Sequence, residues 1–119
     1  MTRSNHSPMP IDRSHLALTA RDMDAFVAAA TDATGFLRAI SHEGRLMILC
    51  YLAQGEKSVT ELEELLSARQ AAVSQQLARL RHEGLVTHRR DGKAVYYQLT
   101  DDRSLKVIDL MYELFCTRP

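Results

Sequence analysis

The sequence lacks the features that direct a chain into or across a membrane. Its 119 residues hold no apolar run near the roughly 20 residues that span a bilayer. The opening stretch, MTRSNHSPMPIDRSH, has no apolar segment of the kind found in secretory signals. Two cysteines do not call for a disulfide framework, and cytosolic thiols stay reduced. We therefore expect one cytoplasmic domain without a membrane partner.

Recognisable catalytic patterns are missing as well. There is no C-x-x-C pair of the kind that thiol oxidoreductases place at a helix start. There is also no glycine-rich phosphate loop and no visible Ser-His-Asp set. The histidines are scattered without the spacing of metal ligands: His6, His15, His42, His82 and His88. We expect neither an enzyme nor a bound metal or cofactor.

Net charge is absent too, but the charges are unevenly placed. Fifteen basic and fifteen acidic residues cancel over the whole chain. From Arg69 to Lys93 six basic residues outnumber two acidic ones, so this segment carries +4 and the remainder −4. A basic segment on a neutral body is typical of a polyanion-binding surface, although a charge run alone more often marks a solvated face.

Apolar spacing predicts a mainly α fold with a small β-hairpin. Residues 1–18 are polar and read as a disordered N-terminal arm. In the domain 19–119 the predicted order is helix, helix, helix, turn, helix, hairpin, helix. Ser58 and Glu61 form a capping box, and Asp91-Gly92 suits a type I′ hairpin turn. This order is that of a winged helix-turn-helix.

Capping residues predict where the other helices start. Thr19 with Asp22 opens the first helix, Ser41 the second, and Asp101 or Asp102 the last. The short third helix is expected to bury its leucines, Leu62, Leu65 and Leu66. The basic helix from Gln70 to Gly84 is expected to bury Val73, Leu77 and Leu80.

This basic helix is the candidate for insertion into the major groove of operator double-stranded DNA. Glutamine and serine can hydrogen-bond to base edges, which makes candidate base readers of Gln70, Ser74 and Gln75, with Gln76 as a further candidate. Arginines on the same helix are better suited to phosphates: Arg79 and Arg81. Around the hairpin tip, flanking backbone or minor groove is within reach of Arg89, Arg90 and Lys93. The alternative is a solvated helix surface, which the accompanying short helix and basic hairpin disfavour.

A homodimer is the economical hypothesis, because one such helix contacts too few bases. Two copies about 34 Å apart would read successive major grooves on one side of the duplex. The N- and C-terminal helices carry apolar stripes that their own subunit does not need. We therefore expect the fold to be dimeric through these two helices.

Two blocks of the sequence resemble the ArsR/SmtB family of bacterial winged-helix repressors. They are ISHEGRLMILCYLAQGEKSVTELEELL and QAAVSQQLARLRHEGLVTHRRDGKAVYYQLTD, and the likeness extends over about residues 36 to 116. The resemblance implies a homodimer that represses an operator and releases it when an inducer binds. Arg69 departs from the family pattern, where many relatives have a capping Ser or Thr, and Ser67 is a candidate substitute.

Metal sensing, common in that family, is not expected here. The family's metal positions correspond to Ser58 and Thr60 on the short helix, which are poor ligands for soft metals. The last helix offers Asp109 and Glu113 but no histidine. Metal induction therefore stays only as an alternative.

The two cysteines admit two interpretations. Cys50 lies on an apolar helix face, where free cysteine commonly behaves as a small hydrophobe, whereas Cys116 near the chain end is expected to be accessible. The block RLMILC with LFC further resembles the dithiol, SqrR- and BigR-like branch of the family, which senses persulfides and polysulfides. This resemblance implies that Cys50 and Cys116 are the sensing thiols and that a sulfur bridge induces sulfide-response genes. Peroxide oxidation to a disulfide remains an alternative inducer, and a protein-interaction module remains an alternative function.

Overall fold

This computed structural model describes residues 10–13 and 18–116, and helices predominate over three short strands in these ranges. The predicted arm, residues 1–18, lies mostly outside these ranges. Within them, no helix is both long and apolar enough to cross a membrane. The elements are α1 (Ala20–Ile40), α2 (Glu43–Leu52), β1 (Lys57–Ser58), α3 (Val59–Leu66), α4 (Gln70–His82), β2 (Val86–Asp91), β3 (Ala94–Leu99) and α5 (Arg103–Phe115).

The chain divides into two compact units, Met1–Thr31 and Asp32–Pro119. In the first, Thr19 N donates to Asp22 Oδ2 at 2.8 Å and Asp22 N donates to Thr19 Oγ1 at 3.1 Å, which confirms the predicted cap. The hydrogen bonds that Thr19 N and Oγ1 donate to the Asp22 carboxylate lower the pKa of Asp22. Phe26 and Val27 are 52% and 71% exposed, so the apolar stripe of α1 is uncovered in this unit.

The core lies in the second unit, between α2, α3, α4 and the sheet. The stripe predicted for α4 is confirmed, because Val73, Leu77 and Leu80 are all buried. On α3 only Leu62 is fully buried, and the prediction for Leu65 is wrong, since that side chain is 44% exposed. Leu62 and Leu66, four residues apart, form the line along which this short helix meets the core. The remaining buried hydrophobic residues are Ala39, Ile48, Leu49, Leu52, Leu85, Val86 and Tyr97.

The wing is a three-stranded antiparallel sheet in the order β1-β3-β2. The hairpin is confirmed, but β1, only two residues long, was not predicted. The predicted turn is one residue out of register, because Asp91 still pairs with Ala94 and the loop is Gly92-Lys93. Gly92 has φ 63° and is the only loop residue with positive φ. Glycine at the first central position is the pattern of a type II′ turn, whereas type I′ needs positive φ at both.

The start of α2 differs from the prediction, whereas at the start of α5 one of the two predicted residues accepts a hydrogen bond from the helix. His42, rather than Ser41, caps α2, because its Nδ1 accepts from Gly44 N at 3.0 Å. Ser41 instead donates its backbone N–H to Arg38 O at 3.3 Å, closing the end of α1. For α5 the N-cap Asp102 makes no side-chain cap, while Asp101 Oδ1 accepts from Arg103 N at 3.0 Å.

The capping box before α3 is confirmed, with Ser58 Oγ accepting from Glu61 N at 3.0 Å and Glu61 Oε1 accepting from Ser58 N at 2.7 Å. Ser67 does not replace the missing cap at Arg69. It closes α3 in a left-handed conformation, φ 51° and ψ 44°. Helix α4 therefore starts without a side-chain cap.

Candidate nucleic-acid interface and thiol pair

A polar groove lies between the first turns of α3, the helix α4 and the wing. It has a volume of about 420 Å³. Because successive residues of a strand face opposite sides, His88 and Arg90 of β2 both turn toward α4. The predicted site residues that the structure brings together in this groove are Gln70, Ser74, Arg81, Arg90 and Lys93.

Arg81 is held against the wing. Its Nη1 lies 3.2 Å from Nδ1 of His88, and the His88 ring stacks on Tyr97 with a centroid separation of 5.4 Å. Tyr97 itself is part of the buried core. This contact holds the last turn of α4 against the sheet and places the Arg81 guanidinium at the edge of the groove.

Arg89 lies outside this groove. Its Nε and Nη2 donate to the two carboxylate oxygens of Glu56 at 2.9 and 2.8 Å, and its guanidinium lies 4.6 Å from the centre of the Tyr96 ring. The bidentate hydrogen bond lowers the pKa of Glu56 and raises that of Arg89. Arg89 therefore anchors the wing to the loop before β1. The structure gives it a partner that sequence reasoning missed, because Glu56 is 33 residues away.

The other polar residues of α4 have different surroundings. Gln75 is exposed. Arg79 pairs with Glu83 at 3.6 Å, a partly exposed i,i+4 contact of the kind that contributes little to stability. Gln76 is half-buried, and its Oε1 accepts from Arg45 Nη1 at 3.2 Å. Arg45 is a further residue that the sequence did not indicate.

The two cysteines are free thiols in unlike environments. Cys50 is half-buried in the last turns of α2, and this burial raises the pKa of its thiol. Cys116 is exposed directly after α5, where its backbone N donates to Tyr112 O at 2.8 Å. An exposed thiol is open to attack by a solute, whereas a half-buried one with a raised pKa is less often the nucleophile at neutral pH.

The helices that carry the thiols pack against each other. Ala53, which directly follows α2, lines a depression of about 300 Å³ together with Ile108 and Tyr112 of α5. Cys50 is three residues before Ala53, and Cys116 is four residues after Tyr112. Each thiol is therefore about one helical turn from this contact.

Two residues, Ser58 and Thr60, occupy the positions that hold metal ligands in the ArsR/SmtB family, and both have other surroundings here. Ser58 caps α3, and Thr60 is exposed on its first turn. Across residues 10–13 and 18–116, no three His, Cys, Asp or Glu side chains come together as a metal site would need.

A family match, similar proteins and similar solved structures all indicate the same kind of protein. The arsR family of bacterial regulatory proteins matches residues 42–88. The biofilm growth-associated repressor of Agrobacterium fabrum is 40% identical over 107 residues, which cover 90% of this chain and 87% of that repressor. The crystal structure of the repressor BigR from Xylella fastidiosa has a TM-score of 0.77 at 37% identity, covering 85% of this chain and 100% of that one. Reduced HlyU from Vibrio cholerae has a TM-score of 0.73 at 37% identity, covering 79% of this chain and 99% of that one.

The matched family segment runs from the cap of α2 through the recognition helix into β2. The relatives extend the likeness over most of the chain. The chain therefore belongs to the arsR family of bacterial regulatory proteins, as a DNA-binding transcriptional repressor with a winged helix-turn-helix and not as an enzyme.

Proposed function

We propose that this protein is a cytoplasmic homodimer that represses sulfide-response genes and releases its operator when reactive sulfur species link Cys50 to Cys116. The observation that carries the proposal is the placement of the two free thiols. One lies on α2, which packs against the recognition helix α4, and the other follows α5, which packs against α2. A covalent link between α2 and α5 acts directly beside the DNA-binding unit.

The DNA-binding surface that we propose is the exposed side of α4 together with the groove toward the wing. Gln70, Ser74 and Gln75 are exposed and can offer amide or hydroxyl groups to base edges. Arg79, Arg81, Arg90 and Lys93 supply positive charge around them for the phosphates.

Dimerisation is supported by the apolar side chains that the described part of the chain leaves uncovered. On α5, Leu110, Leu114 and Phe115 are 48%, 62% and 81% exposed. Contiguous exposed apolar surface of this kind marks an interaction site. A second copy of the chain is the partner that a two-fold operator requires.

The proposed reaction uses polysulfide as the oxidant. The Cys116 thiolate attacks the penultimate sulfur of a polysulfide, whose terminal S–S bond breaks and releases hydrosulfide with the electron pair. The Cys50 thiolate then attacks the last inner sulfur of the attached chain and expels a second hydrosulfide. With a tetrasulfide, two thiols yield a bridge with two inserted sulfurs and two molecules of hydrogen sulfide.

We further propose that the thiols are held too far apart for a direct disulfide, which needs Cα atoms within about 7 Å. Inserted sulfurs, at about 2 Å each, would lengthen the bridge enough to close. This would distinguish sulfur donors from peroxide.

The test is operator binding by reduced, peroxide-treated and polysulfide-treated protein, followed by fluorescence anisotropy. We expect polysulfide to weaken binding by roughly 5–150-fold, the range of a typical allosteric coupling. Cys50→Ser and Cys116→Ser should each bind like the reduced wild type and stay bound after treatment. Mass spectrometry of the treated wild type should show a bridge with inserted sulfurs.

The alternatives give other outcomes. Release by peroxide with a two-sulfur bridge would make the protein a peroxide or disulfide sensor. Release by a metal ion, unaffected by either serine variant, would make it a metal sensor. Salt-independent binding to a protein rather than to DNA would contradict the conclusion that this protein is a DNA-binding repressor.

A further inference from the structure

Gln76 is distinguished from the other polar residues of α4 by its contacts inside the fold. Its Oε1 accepts from Arg45 Nη1 at 3.2 Å, and its Nε2 lies 3.5 Å from Nε2 of His42. A base-reading side chain must present its amide to the groove of the duplex. This amide is instead engaged by the first turn of α2, while the neighbouring Gln75 is exposed.

Arg45 donates in two directions. Its Nε donates to Ala39 O and its Nη2 to Arg38 O at 3.3 Å. Both carbonyls belong to the last turn of α1, where carbonyl groups lack partners inside the helix and a positive charge is favoured. One planar guanidinium therefore joins the end of α1 to the recognition helix α4.

The backbone at this junction is shaped for close approach. His42 Nδ1 caps α2 through Gly44 N, which brings the imidazole against the first turn. A Cβ on Gly44 would lie 3.1 Å from His42 Cε1 and 3.9 Å from Gln76 Cδ. Glycine at this position lets the ring and the amide pack on the start of α2.

We infer that Arg45 is a positioning residue that orients the recognition helix through its hydrogen bond to Gln76, and that Gln76 does not read bases. A second step rests on the proposed function. Cys50 is on the same helix as Arg45, so a bridge to Cys116 that displaces α2 is transmitted to α4 by the Arg45–Gln76 hydrogen bond.

The first step is tested in reduced protein by double-mutant cycles on operator affinity. Arg45→Lys keeps a positive charge near the α1 carbonyls but loses the planar fork, and Gln76→Leu removes the acceptor. We expect the two effects to be coupled. The operator Kd of the double variant should differ by about 5-fold from the value obtained by multiplying the two single effects. In the matched cycle of Arg45→Lys with Gln75→Leu, the operator Kd of the double variant should agree with the product of the single effects to within about 2-fold. Independent effects in the 45–76 cycle would overturn the inference, whatever the response to sulfur.

The second step is tested by the ratio of operator Kd after polysulfide treatment to Kd when reduced. Gln76→Leu should bring this ratio toward one, whereas Gln75→Leu should weaken reduced-state binding and leave the ratio as in the wild type. A wild-type ratio retained by Gln76→Leu would overturn transmission through this bond. A ratio of one in the wild type would contradict the proposed function instead, and the reduced-state cycles would still decide the positioning role. Circular dichroism and thermal unfolding establish that each variant is folded.

Discussion

At the scale of single residues, two adjacent arginines of the wing have different surroundings. Arg90 lines the groove with the recognition helix, whereas Arg89 binds both carboxylate oxygens of Glu56 on the other side of the strand. Both were expected to contact DNA from the hairpin. The alternation of a strand allows only one of two neighbours to face α4.

This difference predicts unequal effects on DNA binding. Arg90→Ala should weaken operator binding and reduce the slope of log affinity against log salt by about one. Arg89→Ala should change the slope less, because its charge is already paired with Glu56. Anisotropy titrations at several salt concentrations measure both slopes, and equal losses would show that both arginines contact phosphates.

The unlike environments of the cysteines predict an order of reaction. Because burial raises the pKa of Cys50, a higher pH is needed to form its thiolate in the folded than in the unfolded chain. Iodoacetamide should therefore modify the exposed Cys116 first, and the Cys50 rate should reach its plateau at higher pH in the folded protein than in urea. Mass spectrometry of Cys50→Ser and Cys116→Ser, each with one thiol, gives both profiles. A folded-state midpoint for Cys50 at or below the unfolded one would contradict this.

At the scale of secondary structure elements, the wing depends on the conformation of its turn. Gly92 has φ 63°, in the left-handed region that costs other residues roughly 1–2 kcal/mol. Gly92→Ala should lower the free energy of unfolding by about that amount, measured by urea denaturation followed by circular dichroism. The neighbouring Lys93 has no positive φ. Lys93→Ala should therefore leave stability unchanged and lower operator affinity; a stable Gly92→Ala variant would argue against the type II′ turn.

Elements whose ends depend on neighbouring residues were predictable from the sequence. The capping box of Ser58 and Glu61 and the cap of Thr19 and Asp22 each join residues three apart, so the pattern contains both partners. The buried stripe of α4 followed from helical spacing alone. The two-residue β1 is too short to show any alternation, and it forms only because β3 is there to pair with it.

The candidate site was predictable as a set of exposed polar residues but not in its internal contacts. Gln76 meets Arg45 and His42 across 31 and 34 residues, and Arg89 meets Glu56 across 33. Such contacts are set by how the helices and strands pack, which no local pattern reports. The side chains that the fold engages could not be separated in the sequence from those that it leaves exposed.

At the scale of the whole molecule, the exposed apolar face of α5 predicts an oligomer that charge can disrupt. Leu110→Glu should convert the proposed dimer to monomers, because an ionised carboxylate would have to be buried in the interface. Loss of the second recognition helix should lower operator affinity by about 100-fold. Sedimentation equilibrium measures the change in mass.

Lys106→Gln is the matched control on the same helix. It changes the charge by the same amount but lies at an exposed position whose 3.6 Å ion pair with Asp102 contributes little. The control should remain dimeric and bind the operator normally. A Leu110→Glu variant that stays dimeric like the control would show that α5 is not the interface.

The pairing of β2 with β3 also limits how the wing can vary in length. The strands are joined by only two loop residues, so an extra residue in one strand shifts every side chain beyond it to the opposite face. A single insertion before Arg89 would turn that arginine toward α4 and Arg90 away from it. We therefore expect insertions that keep Arg90 on the side of α4 to come as two residues per strand, unless a β-bulge absorbs a single extra residue.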